Sequence, residues 1–171
     1  MPFTPFHIAA GASVKAIAPK HFSWSVFTLT NILIDCEPLY YHFTEGMLSH
    51  KFFHSIIGAS IVVVICATLG KPLCEHGLKL WNNSLAPEDN KWLGSGIEIN
   101  HLSAWIAAII GAYSHLVLDS IMHVDIKPLV PFTDENQLLG VIDITNLYLI
   151  CIGLLVVGAV IYFFKKIFIK H

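Results

Sequence analysis

Charge is scarce in this chain of 171 residues: Asp, Glu, Lys and Arg make up 13% of it, and hydrophobic residues 55%. A mean hydropathy of +0.66 is too apolar for an ordinary soluble domain of this size and argues for a membrane protein. The formal net charge of -2 leaves no basic footprint for nucleic acid. Cysteine is thinly spread: Cys36, Cys66, Cys74 and Cys151 show no C-x-x-C spacing. Neither a thiolate zinc site nor a disulfide framework is expected. The first residues, Met1 to His7, lack a basic n-region and do not read as a cleaved signal peptide. Glycine-rich phosphate loops and a G-x-S-x-G elbow are missing as well. With no repeats or low-complexity tract, residues 1–171 read as one domain.

What is present is a series of apolar runs. The pattern predicts an all-α integral membrane bundle of about five helices. Their bounds are about Phe6 to Ala18, Ser23 to Asp35, Lys51 to Leu69, His101 to His123, and Thr145 to Lys166. Pro19, Pro38 and Gly70-Lys-Pro72 supply the stops for the first three. The last is the plainest span: Ile144 to Phe164 is uncharged, and about 20 apolar residues cross a bilayer core. The first two are short; about 13 residues at 1.5 Å rise cover about 20 Å of a core about 30 Å thick. Residues 71–100 are polar and read as a cytoplasmic loop, with room for an interfacial helix from Leu78 to Trp81. Small residues, Gly58 with Ala59 and Ala107 with Gly111, suit close helix contacts.

Ionisable residues stand inside these runs, where each costs several kcal/mol unless it pairs, binds an ion or does chemistry. His115 and Asp119 share a helix face at i, i+4, with His123 one turn further on. His50 and His54 have the same spacing at the start of the third helix. Asp35 and Glu37 close the second, where carboxylates oppose the helix dipole. Alternating helix directions bring these residues and His7 to one side. Lys15, Lys20, Lys71, Lys79, Lys91, Lys165, Lys166 and Lys170 fall on the other side, while Lys51 and Lys127 stay with the ligands. The lysine bias makes the ligand side periplasmic or extracellular and the C-terminus cytoplasmic. Paired His and carboxylate donors from neighbouring helices suit a metal site in a bundle, with zinc favoured over manganese or iron.

Five elements in order carry a resemblance: His7, then Asp35-Cys-Glu37-Pro38, His50-Lys-Phe-Phe-His54-Ser55, Ser114-His115-Leu-Val-Leu-Asp119, and Lys127-Pro-Leu-Val-Pro131-Phe132. Together they resemble the YdjM-like inner-membrane metal-dependent hydrolases, over most of the chain. Two positions depart from that family's pattern: Glu37 stands for its second Asp, and Lys51 for its usual Arg, losing a bidentate fork. The order His, Asp, His, H-x-x-x-D is also similar to zinc-dependent phospholipase C and its nuclease relatives. That resemblance implies an all-helical fold and phosphoester hydrolysis at clustered zinc ions.

The combined expectation is a membrane-bound metal-dependent hydrolase with one to three divalent ions, most simply zinc. His7, Asp35, His50, His54, His115 and Asp119 are the expected ligands. His50 could instead orient a ligand. Glu37 is the expected general base or bridging ligand, and Lys51 the cation that meets developing negative charge. His123 and Ser114 fall around them. A site recessed between short helices fits membrane lipids as partners and a lipid or lipid-linked phosphoester as substrate. The alternatives are a metal or proton transporter, and a membrane protein with a purely structural metal.

Overall fold

The structure, a computed structural model, describes residues 5–168; Lys170, counted above in the lysine bias, lies outside them. Among the described residues all regular structure is helical, with no strand. A 3-10 turn, Pro5–His7, leads into α1 (Ile8–Ile17) and α2 (Trp24–Glu45). Then come α3 (Ile56–Ile65), a π-helical turn (Cys66–Gly70), α4 (Lys71–Ser84) and α5 (Pro87–Leu93). Two long helices, α6 (His101–Met122) and α7 (Ile144–Phe168), complete the chain. Three stretches are long and apolar enough to cross a membrane: Ile56–Ser84, His101–Met122 and Ile144–Lys165.

The centre of the bundle is α6, against which α2 and α3 pack. Its inward stripe is small: Ala104, Ala107, Ala108, Gly111 and Ala112 are all buried. Small side chains let helix backbones approach closely where lipid gives no hydrophobic drive to association. At Gly111 an added Cβ would lie 3.2 Å from Thr30 Cβ and 3.3 Å from Asn31 Nδ2 of α2. The same stripe continues into His115 and Asp119, also buried. Close packing in the apolar half of the helix therefore sets how near its polar end comes to α2. Large core residues fill the other end, where Phe22, Val26 and Phe27 are nearly inaccessible.

Three helix limits differ from the sequence expectation. Residue 38 does not stop α2, which runs through Pro38 to Glu45. A proline inside a helix removes one hydrogen bond and crowds one carbonyl; Pro38 is itself buried in the bundle, and that burial offsets part of the cost. The first ten-residue helix, by contrast, is as short as expected. Second, α3 begins at Ile56, not near Lys51, so His50 and His54 sit on a loop and not on one helix face. Ser55 caps the helix, its Oγ accepting the Gly58 N–H at 3.1 Å. Third, Pro72 interrupts nothing. It sits in the first turn of α4, directly after the π-helical turn, where the wider winding accommodates its missing N–H. Most of the expected 71–100 loop is therefore helical. The continuous 29-residue rod Ile56–Ser84 is about 43 Å long, so it outruns a bilayer core by about 13 Å.

Two connections finish the ligand side. The 46–55 loop crosses over α3 so closely that Gly58 admits no side chain: an added Cβ would lie 1.9 Å from the Phe52 carbonyl oxygen. The 123–143 loop is anchored by the fully buried Ile126, and by the Ile56 N–H donated to the Pro128 carbonyl at 2.8 Å. Asn136 Nδ2 donates to the Ser120 carbonyl at 2.8 Å. On the outer flank α7 packs chiefly on α1. Its Lys165 donates to the Ala16 and Ile17 carbonyls at 2.9 and 2.8 Å.

Because the obstacle at Gly58 is backbone, a Gly58→Ala substitution should cost about 3 kcal/mol, the upper end for overpacking. Thermal unfolding of the detergent-solubilised protein will show this as a lowered midpoint.

Candidate metal centre

Asp35 of α2, His54 of the 46–55 loop, and His115 and Asp119 of α6 meet in the bundle interior, all buried. Each can offer one ligand atom such that all four lie within 4.8 Å of one another. His115 Nε2 is 3.4 Å from Asp35 Oδ1 and 3.2 Å from Asp119 Oδ2. His54 Nε2 is 3.4 Å from the same Asp119 oxygen. Yet among the described residues both ring nitrogens of His54 and Nε2 of His115 are buried with no hydrogen-bond partner. These donors face each other at a spacing too wide, or too poorly aligned, for hydrogen bonds.

A bound cation would account for that spacing. Ligand atoms held tetrahedrally about 2.0–2.1 Å from zinc are about 3.3–3.4 Å apart. Two neutral imidazoles and two carboxylates also balance a divalent charge, whereas two buried carboxylates alone are strongly unfavourable. Burial alone would lower the His54 imidazole, but the Asp119 and Glu37 carboxylates facing it pull it above the usual histidine range. The acids thus demand positive charge at this point.

The surroundings fix the donors. Asn31, one turn before Asp35 on α2, accepts from His115 Nδ1 at 3.0 Å. Its own Nδ2 donates to the Phe27 carbonyl at 2.8 Å, so Oδ1 must be the atom facing the imidazole. His115 is therefore protonated at Nδ1 and presents the Nε2 lone pair to the acids, an orientation typical of metal-bound histidine. His7 lies on the other oxygen of Asp119, 3.0 Å from Oδ1. Its ring stacks on His115 with centroids 4.0 Å apart. It stands beside the four residues as a neighbour of two of them.

Glu37 accepts three backbone N–H groups, from Lys51, Phe52 and Phe53, at 3.2, 2.7 and 2.9 Å. One of its oxygens is also 3.6 Å from His54 Nδ1. It ties the loop that carries His54 to the helix that carries Asp35. Lys51 points away from the four residues. Its Nζ lies 3.7 Å from the centroid of the Tyr41 ring and 3.6 Å from Glu45. Ser114 Oγ donates within α6 to the Gly111 carbonyl.

His50 joins a second group, with His123 and Asp125. Asp125 accepts the His50 backbone N–H at 2.8 Å and its ring Nδ1 at 3.0 Å. The His50 ring lies 4.5 Å from that of His123 and 4.6 Å from that of His54, centroid to centroid. Burial and the neighbouring His54 hold His50 below the ordinary histidine range, against the pull of Asp125; burial lowers His123 too. For Asp125 burial acts upward, but the amide and ring of His50 keep the carboxyl below its usual range. This group borders a cavity of about 690 Å³ lined also by Lys51, Phe52, Lys127, Val130 and Pro131.

Asn31 and Asp125 are the two residues that sequence reasoning passed over. Asn31 had a signal, a lone amide one helical turn from Asp35; Asp125 had only its nearness to His123.

The model of the YdjM inner membrane protein family matches residues 6–169, and the chain belongs to that family. It is thus an inner membrane protein, in keeping with its three apolar spans. No curated protein and no solved structure matches it.

Asn31→Ala should weaken zinc binding by about 10–100-fold, the usual effect of losing a partner that orients a ligand. Competition against a chromophoric chelator measures it. Asp119→Asn should cost the purified protein the ion held by these four residues, read as a lowered metal content by elemental analysis.

Proposed function

We propose that this member of the YdjM inner membrane protein family is a metal-dependent hydrolase acting on a phosphoester of a lipid or lipid-linked substrate. The observation that carries the reading is the set of orphaned, buried ring nitrogens on His54 and His115 opposite Asp35 and Asp119. These four residues would hold the ion, and the donor set suits zinc. A divalent cation bound there supplies Lewis acidity toward a phosphoryl oxygen and makes water acidic enough to attack near neutral pH.

The residues around it have separate tasks. Asn31 keeps His115 in the ligating tautomer. His7, hydrogen-bonded to the Asp119 oxygen turned away from the imidazoles, fixes that carboxylate. Glu37, with both oxygens engaged on backbone amides, is a positioning residue more than a base. Lys51 stands at the cavity wall, where its charge would meet an anionic head group. The wall is otherwise largely apolar, through Phe52, Ile57, Val130 and Pro131, which suits an acyl or prenyl chain.

The placement of the cluster favours hydrolysis over transport. A transit site lies near the bilayer midplane and opens to both sides. Here the bundle behind His115 is filled by Ala104, Ala107, Ala108 and Phe27, which closes off the other side. The lysine distribution supports a site on the outer side with the C-terminus in the cytoplasm.

Purified protein supplied with zinc should release a phosphorylated product or a free head group from one member of a panel of phospholipids and polyprenyl phosphates. His115→Ala should lower that turnover by more than about 100-fold, exceeding the loss of an orienting partner alone. Equal turnover by both proteins, or none by either across the panel, would reject the proposal.

A further inference from the structure

We propose that His50, His123 and Asp125 form a second divalent-cation site, one imidazole away from the buried set, so that the reaction centre is built for two ions. This rests on the hydrolase reading for its role, but not for its existence. The three residues come from separate places: the 46–55 loop, the C-cap of α6 and the loop beyond it. All three offer ligand atoms within 4.8 Å of one another. The His54 ring stands between the two groups, 4.6 Å from His50 and 5.5 Å from His115 by centroids.

The two groups differ in how far they open to the cavity. The inner set supplies four ligands and is buried throughout. The outer trio supplies three and grades from the buried His50 to the exposed Asp125, with the cavity at its edge. Three protein ligands and an accessible side are the arrangement of a metal that also takes water or substrate. Two histidines and one carboxylate suit zinc, iron or manganese.

The trio is held in place before any ion arrives. Asp125 grips both the backbone and the ring of His50. Asn136 binds the carbonyls of Ser120 and His123, fixing the chain where it leaves α6. Ile126, beside Asp125, is fully buried. A hydrogen bond between Asp125 and His50 alone would need neither the third donor, His123, nor this anchoring of the segment that carries it. A cation held by His50, His123 and Asp125 would supply positive charge toward the anionic oxygen of a substrate entering through the cavity.

Metal content and spectroscopy test this without reference to turnover. Chelator-stripped full-length protein in detergent is titrated with zinc, and its equivalents are counted by elemental analysis after gel filtration. Wild type should retain two per chain, and Asp125→Ala and His123→Gln one each. Loading with manganese should give a spin-coupled electron paramagnetic resonance signal in wild type and an uncoupled one in both variants. One equivalent in wild type, unchanged in Asp125→Ala, overturns the outer site and leaves the inner site standing. Two equivalents in wild type and in both variants place the second ion elsewhere and also overturn it. No metal in wild type rejects both sites. Monodisperse elution of the variants, with the inner equivalent intact, separates ligand loss from misfolding.

Discussion

Asp35 and Asp119 are carboxylates held a few ångströms from the same imidazole in the middle of an apolar bundle. Their mutual repulsion and desolvation must be offset locally, because both are buried in the bundle interior. Almost every polar feature of the interior answers this constraint. His54 and His115 face the acids, His7 takes the spare oxygen of one, and Asn31 sets the proton on His115. Glu37 then secures the loop that delivers His54. A divalent ion held by these residues would complete the neutralisation.

Packing away from the site serves the same end. The alanine and glycine stripe of α6 brings α2 near enough for Asp35 to reach His115. A bulkier stripe would push α2 away and draw Asp35 off His115. Gly58 plays the corresponding part for the 46–55 loop, whose carbonyl at Phe52 lies directly over it. Specificity of geometry here comes from what the side chains leave out, consistent with how helices associate in lipid.

Much of this was readable in the chain, and the parts that were not share a cause. The i, i+4 pair His115 and Asp119 in an apolar run announced a buried polar site, and alternating helices correctly grouped Asp35, His54 and His7 with it. The apolar spans at α6 and α7 followed from length and apolar composition. Proline misled: Pro38 and Pro72 both look like stops, but buried packing around one and a widened turn before the other let the helices continue. The spacing of His50 and His54 suggested one helix face, yet Ser55 caps the next helix and leaves both on a loop. Asn31 and Asp125 act through partners 84 and 75 residues away in sequence, and no local pattern encodes such distances.

The pairing of α1 with α7 has a bearing on how the molecule is made. His7 is held at Asp119 by a ten-residue helix too short to anchor itself across a bilayer. That helix leans on α7 through Phe6 stacked on Tyr148, Ser13 bonded to the Leu154 carbonyl, and Lys165 at its end. Synthesis runs from His7 toward α7, so the earliest ligand-side residue waits for nearly the whole chain before its support exists. The polar centre is therefore closed by α1 and α7 together, and a chain cut short before α7 carries every other residue of the site but lacks the brace that seats His7.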